Sequence, residues 1–179
     1  MMDERELLVL GLLMVQSQHG YQINDFIEKN MGRVSDMKKA TAYSLLKRLD
    51  KAGYVAVTVE QEGNRPPRQV YAITAVGEAH FLALLRKSLG AMENLTPQGD
   101  ISIMFMDHLP VDEVISQLEK RLSKVKDYIE TLRTVPPHCH NVGIDLSIKH
   151  RITLLECDER WLNETIAALQ DGTIRYDGQ

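Results

Sequence analysis

The sequence predicts a mainly α-helical chain with one small β wing, divided into two halves of different character. Three observations carry this. The segment Thr41 to Gly53 reads as one amphipathic helix ending in glycine, with Leu45, Leu46 and Leu49 on one face. Two short runs rich in β-branched residues follow, separated by Glu62-Gly63-Asn64-Arg65-Pro66-Pro67. Beyond Pro110 the apolar residues recur in steps of three and four along two long stretches, interrupted by Pro136-Pro137.

Each element follows from local chemistry. Asp3 caps a helix over about 4–17, with Glu4 and Glu6 against the positive end of its dipole. Leu7, Leu8, Leu10, Leu12, Leu13 and Val15 cover nearly every side of it, so it is buried on more than one face. His19-Gly20 breaks it. A second helix runs over about 21–30 with Tyr21, Ile23, Phe26 and Ile27 inward. Gly32 to Asp36 form a turn, and Ser35 or Asp36 caps the third helix. Gly53 ends that helix as a left-handed C′ residue. Tyr54–Val59 and Arg68–Ile73 are the strands, and Pro66-Pro67 excludes regular pairing at the tip. Thr74 caps a fourth helix that carries Phe81, Leu82, Leu84 and Leu85 to about Leu89.

The second half begins in a boundary from Gly90 to Gly99, which divides the chain into domains over 1–90 and 91–179. A short helix around 98–108 carries Ile101, Ile103, Met104, Phe105 and Met106. A long helix from Pro110 aligns Val111, Ile115, Leu118, Leu122, Val125, Ile129 and Leu132. Asn141 caps a last helix to about Gln170, with Ile144, Ile148, Ile152, Leu155, Leu162, Ile166 and Leu169 as its stripe. Two long helices joined by a short loop make an antiparallel hairpin. Such a hairpin lacks a broad core, so a second copy of the chain is its expected partner. Ile115, Leu118, Leu122, Ile148, Ile152, Leu155 and Leu162 are the candidate dimer contacts.

Composition narrows the function. The chain has 179 residues, 44% hydrophobic and 26% charged, which suits a soluble globular protein and not a disordered one. The longest apolar run, Leu7 to Val15, is too short to span a bilayer. Met1 to Arg5 is not a basic leader, and two cysteines make no disulfide framework. A cytoplasmic location without membrane partners is expected.

The net charge of −4 hides an asymmetry. Residues 1–90 hold twelve Lys/Arg against ten Asp/Glu, whereas residues 91–179 hold nine against fifteen. Within 33–68 the count is eight against four. Positive charge is therefore concentrated on the third helix and the hairpin, which is the footprint of a phosphate-binding face. The order α-α-α-β-β-α is that of a winged helix-turn-helix.

Leu7 to Leu13 followed by Gly20-Tyr21-Gln22-Ile23, then Tyr43 to Gly53, then Arg68 to Gly77 with Tyr71 and Thr74, together resemble the PadR family of bacterial transcriptional regulators. The resemblance covers about half the chain. Two long dimerising helices in the second half are similar to the larger subgroup of that family. The sequence departs from the family's habit at Ala40, Ala42 and Ser44, where glycine, a large aliphatic and proline are common. These positions lie on the DNA-facing start of the helix. The resemblance implies a homodimeric repressor that reads a pseudo-palindromic duplex, with a small aromatic effector.

Lys38, Lys39, Thr41, Ser44 and Arg48 are placed to meet base edges in a major groove, where lysine and arginine reach guanine and a threonine methyl meets thymine. Lys47 and Lys51 suit phosphates or solvent. Tyr43 either donates to a phosphate or packs on the second helix. Arg65 and Arg68 sit on the wing and can enter a minor groove or pair with phosphate. The other reading of all these charges is a solvated face, on a winged-helix protein-interaction module that reads no DNA.

Methionine adapts to varied surfaces, so Met104 and Met106 with Trp161 mark a candidate effector site at the junction of the two halves; plain interdomain core is the alternative. His138-Cys139-His140 has ligand chemistry, but three adjacent residues do not easily converge on one ion, so no metal or cofactor is assigned. No phosphate loop, nucleophile motif or helical zinc pair is present, so no catalytic residue is assigned.

Overall fold

The computed structural model describes residues 4–19, 23–29, 37–61, 67–92, 99–138 and 142–175. These form two compact units, residues 1–94 and 95–179.

The first unit contains α1 (Glu4–His19), α2 (Ile23–Lys29), α3 (Lys39–Lys51), β1 (Val55–Glu60), β2 (Arg68–Ile73) and α4 (Ala75–Leu89). Its core is built from one face of each helix: Val9, Leu10 and Leu13 of α1, Ile23 and Ile27 of α2, and Ala42, Leu45, Leu46 and Leu49 of α3. Val55 and Tyr71 close it from the sheet. The strands are antiparallel, with Val55 opposite Ile73 and Glu60 opposite Arg68. Val55, Val57 and Val59 share a face. They pass from buried through half-buried to 69% exposed, so the hairpin leaves the core as it extends.

Thr74 caps α4 as its sequence position suggests. Its Oγ accepts from the Gly77 N–H at 3.0 Å and donates to the Gly53 carbonyl at 2.7 Å. One threonine thus joins the start of α4 to the end of α3. Asn24 of α2 donates from Nδ2 to the Gln69 carbonyl at 2.6 Å, tying the second helix to the wing.

The second unit contains α5 (Asp100–Met104), a 3-10 turn (Met106–His108), α6 (Val111–Arg133) and α7 (Val142–Gln170). The helix expected over 98–108 is thus two shorter pieces. It breaks at Phe105, whose φ of −115° and ψ of 12° are not helical. α6 and α7 pack along each other, burying Val114, Leu118, Val125 and Ile129 against Leu162, Ile166 and Leu169. Ion pairs flank the seam: both Asp158 oxygens accept from Arg121 Nη2 at 2.8 and 3.0 Å, and Arg133 reaches Glu156 at 2.8 Å.

The hairpin therefore has a core of its own. Leu162 is fully buried and Leu118 nearly so, so these two expected dimer contacts pack within the hairpin of one chain. They hold α6 to α7. Val114 joins this seam although the heptad pattern passes over it. Ile144, expected inward, is 39% exposed.

Candidate nucleic-acid interface

The surface of interest is the outward face of α3. Its C-terminal end is set by Gly53 at φ 76°, a conformation that glycine adopts without a Cβ penalty. The Tyr54 N–H donates to the Leu49 carbonyl and the Gly53 N–H to that of Asp50, which is the Schellman pattern. The other end differs from expectation. The helix begins at Lys39, with Lys38 extended at its cap and making no side-chain cap bond. Ser35 and Asp36, the expected caps, lie outside the described residues.

At about 100° per residue, Leu45, Leu46, Leu49 and Ala42 cover the inner side of α3. Ala40, Ser44, Lys47 and Lys51 follow one another at steps of four, three and four on the opposite side, and all four are exposed. Thr41 and Tyr43 flank this stripe half-buried. The sequence reading gave bases to Arg48 and phosphates to Lys47. The structure places Lys47 at the middle of the outward face and turns Arg48 sideways, where its Nη2 donates to Glu6 of α1 at 3.2 Å. Lys38 is exposed at the helix start.

Lys39 pairs with Glu28 of α2, and the Tyr43 hydroxyl donates to the other oxygen of the same carboxylate at 3.5 Å. The lysine hydrogen bond holds the Glu28 carboxyl below the usual range. Burial first, then the nearby Glu28 charge, pushes the Tyr43 phenol up, so it remains a donor at neutral pH. α3 has no acid in its own first turn. Glu28 supplies the negative charge there instead, beside the positive end of the helix dipole.

Sequence reasoning missed the acidic partners Glu6 and Glu28. Glu6 also meets His80 Nε2 at 2.8 Å, and His80 stacks on Tyr54 with ring centroids 4.2 Å apart. Helical periodicity cannot reveal these pairs, because the partners lie on other elements. On the wing, Arg68 begins β2 opposite Glu60. Arg65 lies outside the described residues.

Residues 9–83 match the family model of the transcriptional regulator PadR-like family. This segment is a PadR-family domain. Over 123 residues the chain is 24% identical to the negative transcriptional regulator PadR of Bacillus subtilis (strain 168), spanning 66% of this chain and 68% of that one. The structure of Bacillus subtilis PadR in complex with operator DNA is similar in fold, with a TM-score of 0.73 at 17% identity over 92% of this chain and 98% of the other. The same regulator in complex with p-coumaric acid gives 0.69 at 17% identity over 94% and 98%. The PadR-like regulator BC1756 of Bacillus cereus gives 0.60 at 20% identity over 94% and 97%. The likeness of the PadR solved structures extends through the helical hairpin, beyond the segment that the family model matches.

In the second unit a groove of about 400 Å³ runs between α5, the 3-10 turn and α6. Ile103, Phe105, Met106, Leu109, Val114 and Leu118 give it apolar walls; Ser102, Gln117 and Arg121 add polar groups. Of the three expected effector residues it takes in Met106 alone. Met104 is 72% exposed and Trp161 stands on α7, 38% exposed.

No group of three or more potential metal ligands exists among the described residues. The His138 backbone N–H and ring Nδ1 both hydrogen-bond to Asp145, which ties the connection to the first turn of α7. Cys139 and His140 lie outside the described residues.

Proposed function

We propose that this chain is a sequence-specific DNA-binding transcriptional regulator, a homodimeric repressor released by a small aromatic effector, working in the cytoplasm and without enzymatic activity. The observation that carries it is the exposed stripe Ala40–Ser44–Lys47–Lys51. It lies on the third helix of a fold shared with a PadR that has been seen on operator DNA. A helix with its apolar side buried and small and basic side chains outward can enter a major groove about 12 Å wide. Ala40 and Ser44 allow close approach, while Lys47 and Lys51 supply positive charge.

The dimer is supported by a second face of α7. Leu146, Leu154 and Trp161 are all partly exposed and fall within about one quadrant of the helix, with His150 and Cys157 between them. The expected contacts Ile152 and Leu155 instead pack on the hairpin core. A second subunit covering Leu146, Leu154 and Trp161 fixes two recognition helices at a spacing near one DNA turn, roughly 34–36 Å. The groove at Met106 is our candidate effector site. An effector releases DNA only if it binds one dimer geometry better than the other.

A gel-shift series on the region upstream of the chain's own gene tests this reading. Lys47→Ala and Lys51→Ala are expected to weaken binding and flatten its salt dependence. Unchanged affinity in both variants would overturn the assignment of α3 as the reading helix.

A further inference from the structure

The DNA-binding reading leaves one acidic residue unexplained at the start of the reading helix. Glu28 comes from α2, yet both of its carboxylate oxygens are engaged by α3, one by Lys39 and the other by Tyr43. Those two donors lie one turn apart at the end of the helix that a recognition helix presents first. A carboxylate is an acceptor-only anion, as a phosphodiester is, and lysine and tyrosine are common phosphate donors. The side chains of Lys39 and Glu28 are 55% and 50% exposed. An ion pair this open contributes little to stability, so its consequence falls on what else meets those donors.

We propose that Glu28 stands in for a DNA phosphate: in the unbound protein it occupies the donors of Lys39 and Tyr43, and the duplex backbone displaces it. The inference rests on the DNA-binding reading. Glu28 is then a restraint on affinity. With Glu28 present, Lys39 adds no net charge at this spot, and its meeting with phosphate releases little counterion. Without it, one more cation per subunit faces the backbone. The contact is to phosphate and not to a base, so the gain extends to every duplex alike.

The test measures wild type, Glu28→Gln, Lys39→Gln and the double variant on two probes, the chain's own upstream duplex and a scrambled duplex of equal length. Salt is varied from 50 to 200 mM. Glu28→Gln is expected to bind both duplexes more tightly by the same factor. Its advantage shrinks by about three- to four-fold per subunit across that salt range, as one extra phosphate contact requires. The advantage disappears when Lys39 is already glutamine. Equal binding by wild type and Glu28→Gln would make the pair a surface contact only and overturn the proposal. Weakened binding to the upstream duplex alone would make Glu28 a base reader. An advantage that persists in the Lys39→Gln background would show that it does not act through that lysine. Binding of neither duplex by wild type is a separate result, and overturns the DNA-binding reading itself.

Discussion

Gly77→Ala probes the joint on which the orientation of α3 depends. Gly77 lies in the first turn of α4, directly against the Tyr54 peptide. A Cβ at this position would press into the Tyr54 carbonyl oxygen and come within 2.9 Å of both the Tyr54 carbonyl carbon and Ile73 Cγ1. Carbon atoms rest at about 3.5–4.0 Å and the carbonyl oxygen is nearer still, so the joint must open by more than about 1 Å. The obstacle is backbone and cannot rotate away.

The same Tyr54 carbonyl accepts the Thr74 N–H at 3.0 Å, and Thr74 in turn holds Gly53. Overpacking costs about 1–3 kcal/mol and a strained hydrogen bond about 1 more, while alanine's helix propensity returns up to about 1. The expected net loss is about 1–4 kcal/mol. Urea unfolding followed by far-UV circular dichroism measures it. Gly90→Ala is the internal control. Its nearest neighbour would be the Arg86 carbonyl oxygen at 3.6 Å, and its φ is −93°, so its stability should change by less than about 0.5 kcal/mol. A Gly77→Ala protein as stable as wild type would refute the packing argument at this joint.

Other outcomes follow from the same geometry. Lys47→Ala should reduce the salt slope of DNA binding by about one per subunit, as loss of a single phosphate contact does, whereas Arg48→Ala should change it less because Glu6 already holds that guanidinium; an equal or larger change for Arg48→Ala in a gel-shift salt series would contradict the placement. Leu162→Ala, emptying a fully buried site, should destabilise the hairpin by about 2–5 kcal/mol in denaturant unfolding. Leu154→Asp should leave the hairpin folded and shift sedimentation toward monomer, and a persistent dimer would move the interface off this face of α7. Asp145 is held below the usual carboxylate range chiefly by its hydrogen bond with the His138 side chain. A depressed carboxyl stabilises above its unfolded value and loses that contribution as pH falls through the folded one. Protection of the His138 amide, measured against its intrinsic exchange rate at each pH, should therefore fall in acid below the ordinary carboxylate range, and Asp145→Asn should abolish that change in protection.

Much of the fold is legible in the sequence because its signals are local. Leu45, Leu46 and Leu49 share a helical face, Gly53 must adopt a positive φ, and Thr74 lies three residues before the amide it caps. The site is less legible because its decisive contacts are distant along the chain. Arg48 and Glu6 are 42 positions apart, and Tyr43 and Glu28 fifteen. Charge counting sees a basic segment, but only the packing of α1 and α2 on α3 shows which cations are already engaged. The hairpin gives a parallel lesson. A heptad stripe shows that a face is buried without saying against what. Leu118 and Leu162 turn out to meet within one chain, and the exposed Leu146, Leu154 and Trp161 escape the pattern because they lie beside it.

The central claim is that α3 reads duplex DNA through its Ala40–Lys51 face. Footprinting of the upstream region of the chain's own gene, repeated over a salt series, tests it most directly. The account predicts two protected half-sites with centres about 10–10.5 base pairs apart, or a multiple of that, and protection that fades steeply with salt. A protein that gives no protection on this region or on any other duplex at 50 mM salt would contradict it.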